Sequence, residues 1–114
     1  LRIKSEHAYH IGKHLPVMAA SANAMVHDAI EAFINQDLDS AMEIIERDDE
    51  VDTLFNQVKD DVIHLLKSSP DQADQGIDLL MVAKYLERIG DHAVNVCEWT
   101  QFSKTGALKN VRIM

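Results

Sequence analysis

Apolar residues recur at steps of three and four along most of the chain, the period of one buried face of an α-helix. From about residue 5 to 35 the series is Ile11, Leu15, Met18, Ala22, Met25, Ala29, Ala32 and Phe33. Pro16 falls inside it and removes a backbone donor, so the pattern predicts a helix that is kinked there or begins there. A second series, Ala41, Ile44, Ile45, Val51, Phe55, Val58, Val62, Leu65 and Leu66, predicts a helix over about 38–67. A third helix is predicted over about 70–102, with Gly76 a weak point near its start and Gly106 a stop beyond its end.

The breaks carry their own signals. In NQDLDS, Asp37 is placed to cap the second helix. In SSPDQ, Ser69 as N-cap, Pro70 at the first helical position and Gln72 three residues after the cap match a capping box. Connections this short make consecutive helices antiparallel neighbours. The expectation is an all-α, antiparallel up-down-up three-helix bundle over residues 1–106, followed by a tail at 107–114 that docks elsewhere or frays.

Composition agrees with this and narrows the function classes. A chain of 114 residues supports one hydrophobic core, and four glycines with two prolines leave few turn signals for an all-β alternative. The formal charge of −8, with a pI near 5.0, repels nucleic acid and anionic lipid. Cys97 is the only cysteine, which excludes an internal disulfide and suits a reducing compartment, where it packs as a small apolar filler. There is no apolar run of membrane-span length and no signal-peptide pattern. A first residue of Leu1 rather than Met is read as the mark of a fragment.

Carboxylates interrupt this scheme. In the second helix, steps of three and four along Ala41, Ile45, Phe55 and Val62 land on Asp48 and Asp52, where apolar groups are expected. In YLERIGDHAVNVCEWT, residues 85–100, the acids Glu87, Asp91 and Glu98 lie on or beside the run Leu86, Ile89, Ala93, Val94 and Cys97. At about 1.5 Å of rise per residue, both pairs, Asp48/Asp52 and Glu87/Asp91, lie roughly 25 Å from the second loop on adjacent antiparallel helices. They are therefore expected to face each other. Asp28 and Glu31 on the first helix lie at a similar level.

Four carboxylates at one height repel and raise each other's proton affinity unless cations sit between them. A cation site built from oxygen donors alone favours iron, manganese, magnesium or calcium over a thiolate-type centre. Gly90 would permit close helix approach beside it. The competing account is a salt-bridge network along the helix edge, Glu87 with Lys84 and Asp91 with Arg88. The residues leave both open. His7, His10 and His14 could share a helix face, and Asp61 with His64 resembles half of a di-iron motif, but no ExxH occurs and only three helices are predicted.

DDEVD at 48–52, LERIGDHAVNVCE at 86–98 and KTG at 104–106 resemble the PhoU family, bacterial accessory proteins of phosphate signalling. HDAIEAFINQDLDSA at 27–41 extends the resemblance over nearly the whole chain, and ERIGD followed by Asn95 is its most specific part. Family members typically carry two three-helix units in tandem, so the resemblance implies that this chain corresponds to one half, the C-terminal one. It implies a multinuclear metal cluster, iron or zinc, on the bundle surface. Asp48 and Asp52 match one ligand motif and Glu87 and Asp91 the other; Asp28, Glu31 and Glu98 are secondary candidates.

The resemblance also implies a cytoplasmic regulator, peripheral to the membrane only through partners. It would couple a phosphate ABC transporter ATPase to a sensor histidine kinase and repress the phosphate-starvation response. An isolated unit could form a homodimer in imitation of the tandem pair. No nucleophile flanked by a base and no glycine-rich phosphate loop occurs, so an enzyme is not expected. The alternatives are a metalloenzyme or metal-storage bundle using the same carboxylates, and a metal-free helical interaction module.

Overall fold

A computed structural model describes the backbone of residues 6–105 and the side chains of residues 13–103. The elements in order are α1 (Glu6–Asn35), α2 (Leu38–Ser68), a 3-10 turn (Pro70–Gln72) and α3 (Ala73–Thr105). No strand occurs among the described residues. Cross-helix contacts run in opposite chain directions: Ser21 meets Glu50 and Asp28 meets Arg47 between α1 and α2, while Gly76 meets Leu65 and Gly90 meets Asp48 between α2 and α3. The arrangement is the expected up-down-up bundle, and each helix packs against both others.

α1 continues through Pro16 rather than starting at it. It ends where Gln36 takes φ 54°, a left-handed conformation more usual for glycine at this position. The reversed turn lets the Asp37 N–H donate to the Ala32 carbonyl at 2.9 Å and the Gln36 N–H to Phe33 at 3.2 Å, closing the last turn. Asp37 then caps α2 as its sequence position predicts, its side chain accepting from the Ser40 N–H at 3.1 Å and from the Ser40 hydroxyl at 2.7 Å.

The second connection departs from the expected capping box. Ser69 makes no side-chain cap bond, and Pro70–Gln72 forms a 3-10 turn before α3 begins at Ala73. Ser69 is engaged through its backbone instead: its N–H donates to Leu65 at 2.8 Å and its carbonyl accepts from Gln72 at 2.9 Å. Those two bonds satisfy helix-end groups on both sides of the turn without the hydroxyl. α3 also runs past Phe102 to Thr105; Gly106 and the tail at 107–114 lie outside the described residues.

The core is a seam of heptad spacing. On α2 the positions 41, 44, 48, 51, 55, 58, 62 and 65 follow steps of three and four; Ala41, Ile44, Val51, Val58, Val62 and Leu65 among them are buried. On α3, Gly76, Ala83, Gly90 and Cys97 recur every seven residues and are all buried. Small residues at that repeat let α2 lie close, so that a β-carbon at Gly76 would meet Leu65 at 3.3 Å. α1 supplies Met18, Ala22, Met25, Ala29 and Ala32; Phe33, expected in its stripe, is 41% exposed instead. Burying each large apolar side chain contributes about 1.5–3 kcal/mol, so Met18, Met25 and Leu65 anchor the bundle.

Candidate metal centre

Position 48 is the one place on the α2 heptad seam where the sequence substitutes a charge for a hydrophobe. Its seam neighbours Ile44 and Val51 are buried, while Asp48 is half-buried at the edge facing α3. The close approach there is possible only because residue 90 is glycine: a β-carbon at that point would stand 3.0 Å from Asp48 Oδ1 and 3.6 Å from Val51 Cγ1. Asp48 Oδ1 is consequently buried, and it has no hydrogen-bond partner within the protein. An orphaned carboxylate oxygen of this kind is costly and calls for a proton or a cation.

The other three acids surround it. Burial, followed by the charges of Asp52, Asp91, Glu87 and Asp49, raises the Asp48 carboxyl from its ordinary 3.8 to about 6. Burial also raises Asp52, with Glu87 and Asp91 adding to the effect. The Glu87 carboxylate reaches Asp52 across the groove and is the largest of the neighbouring charges that raise it. Asp48, Asp52, Glu87 and Asp91 are thus brought together across the α2–α3 groove, at the matched height their spacing predicts.

One counter-charge is already in place. Lys84 donates to Glu87 Oε1 at 2.6 Å and rests 5.3 Å from the centre of the Phe55 ring. Its spacing was legible as an i,i+3 pair, whereas its seat over Phe55 on the neighbouring helix was not. The companion pair of the salt-bridge account, Asp91 with Arg88, does not form among the described residues. As the side chains stand, no three His, Cys, Asp or Glu groups among the described residues are gathered tightly enough to hold one ion. The donor set nevertheless fits hard cations: all oxygen, anionic, opening on one side to solvent through exposed Asp91, and holding an unsatisfied buried oxygen.

The secondary candidates lie elsewhere. Asp28 accepts from Arg47 at 2.9 Å, a contact that lowers its pKa together with His27 at 3.4 Å. Asp28 and Glu31 line a separate surface pocket with Glu43 and Arg47 near the first loop. Glu98 is exposed and two turns beyond Asp91, about 10 Å farther along the axis. Cys97 is buried, and its thiol is pushed up to about 11, chiefly by burial, which leaves it an inert packing group. His14 lies 3.7 Å from Asp61, and His64 contacts the Asp60 carbonyl at 2.8 Å within its own helix. His7 and His10 lie outside the described side chains.

The fold and the site together define a three-helix domain with an acid-lined groove between its second and third helices. The PhoU domain profile matches residues 15–100, and the chain belongs to that family. It is 34% identical over 105 residues to a phosphate-specific transport system accessory protein PhoU homolog of Clostridium acetobutylicum, covering 92% of this chain and 48% of that protein. It is 36% identical over 92 residues to the homolog of Zymomonas mobilis, covering 81% and 39%. With PhoU homolog 1 of Thermotoga maritima it shares 32% identity over 100 residues, covering 88% and 42%. The chain thus spans about half or less of the length of these relatives. No solved structure matches it at a significant level.

Proposed function

We propose that this chain is a metal-binding regulatory unit of bacterial phosphate uptake. Two lines support the reading: family membership with relatives named as accessory proteins of phosphate-specific transport, and the convergence of Asp48, Asp52, Glu87 and Asp91. The observation that carries the metal assignment is the buried, unpartnered Asp48 Oδ1 at the centre of that convergence. Asp48, Asp52, Glu87 and Asp91 would hold a multinuclear cluster of iron or zinc, and its positive charge would supply the neutralisation that Lys84 provides only for Glu87. The oxygen donors favour iron of the two metals.

In this reading the domain is an adaptor rather than an enzyme. It joins a phosphate ABC transporter ATPase to a sensor histidine kinase in the cytoplasm and represses the starvation response when phosphate is plentiful. No helix among the described residues is long and apolar enough to cross a membrane, so membrane proximity would come through those partners. Elemental analysis of protein produced with ample iron and zinc tests the cluster: more than one metal equivalent is expected, lost in Glu87→Ala/Asp91→Ala, and metal-free wild type refutes it. Capture of the transporter ATPase or the kinase by the purified chain tests the adaptor role separately. Failure to capture either counts against that role alone.

A further inference from the structure

Two histidine-bearing motifs take no part in the acid groove. On α1, His10 and His14 are four residues apart, the spacing of two positions on one helix face. On α2, Asp61 and His64 are three apart, the spacing at which a carboxylate and an imidazole on one helix serve a common ion. Either motif alone is ordinary on a helix surface. The bundle brings the two together.

Their contact is His14 Nδ1 against Asp61 Oδ2, 3.7 Å apart across the α1–α2 interface, with the two side chains sheltered at 22% and 18% exposure. This is too long for a hydrogen bond. It is close to the roughly 3.4 Å between two donor atoms on a tetrahedral zinc ion, given metal–ligand bonds of about 2.0–2.1 Å. Because α1 and α2 run antiparallel, a register that sets residue 14 level with residue 61 sets residue 10 level with residue 65. His10 and His64 therefore occupy the same turn of the bundle, next to the contact. The His64 Nδ1–H donates to the Asp60 carbonyl at 2.8 Å, which puts the ring's lone pair on Nε2. That is the neutral tautomer a metal requires, oriented by a backbone carbonyl as metal-bound histidines commonly are. His14, Asp61 and His64 are not yet gathered round one point, and closure falls to a swing of the exposed His64 ring.

We propose that His14, Asp61 and His64, with a fourth donor from His10, form a zinc site that clamps the start of α1 to the end of α2. Three imidazoles and one carboxylate make a mixed nitrogen and oxygen set, which suits zinc better than the hard cations favoured by oxygen alone. The site is separate from the acid groove. Asp61 lies about 14 Å beyond Asp52 along α2 and meets α1, whereas Asp48 and Asp52 meet the acids of α3. The zinc clamp therefore stands whether or not the groove holds a cluster. Since its donors converge only in the folded bundle, bound zinc stabilises the fold.

The test is run on the 114-residue chain carrying Glu87→Ala/Asp91→Ala, which removes two donors of the acid groove. Cobalt(II), whose tetrahedral complexes absorb strongly in the visible, is the probe, with zinc as competitor. One equivalent of cobalt should bind with a dissociation constant below about 10 µM, give the tetrahedral band and be displaced by zinc. Zinc should also raise the thermal unfolding midpoint. Adding His10→Gln, His14→Gln or His64→Gln should weaken cobalt binding at least tenfold and remove the zinc-induced shift. Circular dichroism checks that each variant keeps its helices, and exposed His64 is the substitution least able to disturb them. No tetrahedral band up to about 100 µM cobalt overturns the proposal and leaves His14 and Asp61 as a simple ion pair. A band that survives any of the three histidine substitutions unchanged overturns it as well.

Discussion

Gly90 of α3 lies directly against Asp48 of α2, with room for a hydrogen but not for a side chain: a β-carbon there would stand 3.0 Å from Asp48 Oδ1. This contact makes the Asp48 oxygen both buried and unpartnered, and it ties the helix seam to the chemistry of the acid groove.

Replacing Gly90 tests the closeness of that approach. Gly90→Ala gains about 1 kcal/mol of helix propensity while crowding Asp48, so the metal-free stability is expected to change by less than about 1 kcal/mol. Gly90→Leu, wedged between Asp48 and Val51, should cost about 3 kcal/mol in urea unfolding with an unchanged slope. A leucine variant as stable as wild type would show that α2 and α3 do not lie this close.

Asp48 should impose a pH dependence on the metal-free protein. Its folded-state pKa, about 6, lies above the ordinary 3.8, so the folded chain holds this proton more tightly than the unfolded one. The contribution to stability is present in full below pH 3.8 and is lost as pH rises through about 6. Asp52 is shifted in the same direction. After allowance for water screening at this half-exposed edge, Asp48→Asn should be more stable than wild type near neutrality by on the order of 1 kcal/mol. That advantage should vanish near pH 4, as read by denaturant midpoints across the range. The depressed pKa of Asp28 acts in the opposite sense and only as pH falls below 3.8, outside this window.

The two helix entries should respond differently to the same truncation. Asp37→Ala removes two bonds to Ser40 and should cost about 1 kcal/mol. Ser69→Ala should cost no more than about 0.5 kcal/mol, since its hydroxyl makes no cap bond and its backbone contacts survive. Equal losses in thermal unfolding would mean that Ser69 caps the 3-10 turn after all.

Core and surface positions of similar chemistry should separate cleanly. Leu65, fully buried and packed on Gly76, should cost about 3 kcal/mol on replacement by Ala. Met42 is 50% exposed, and its replacement should stay within about 0.5 kcal/mol. A Leu65→Ala loss as small as that of Met42→Ala would contradict the seam described for α2.

What the sequence determined by itself was everything that depends on period and spacing. Steps of three and four specify three helices, Asp37 specifies where the second begins, and short connections specify antiparallel neighbours. The matched height of Asp48/Asp52 and Glu87/Asp91 followed because rise per residue is constant along a helix. Only the tertiary structure decided rotation and contact. It showed that Asp48, rather than Asp52, occupies the seam, that Gly90 leaves its oxygen unpartnered, and that Lys84 rests over Phe55 while Arg47 takes Asp28. It also showed that Ser69 is satisfied through its backbone instead of its hydroxyl. Apart from the Ser69 turn, which is local, these outcomes turn on contacts between side chains far apart in the chain, which no local pattern encodes.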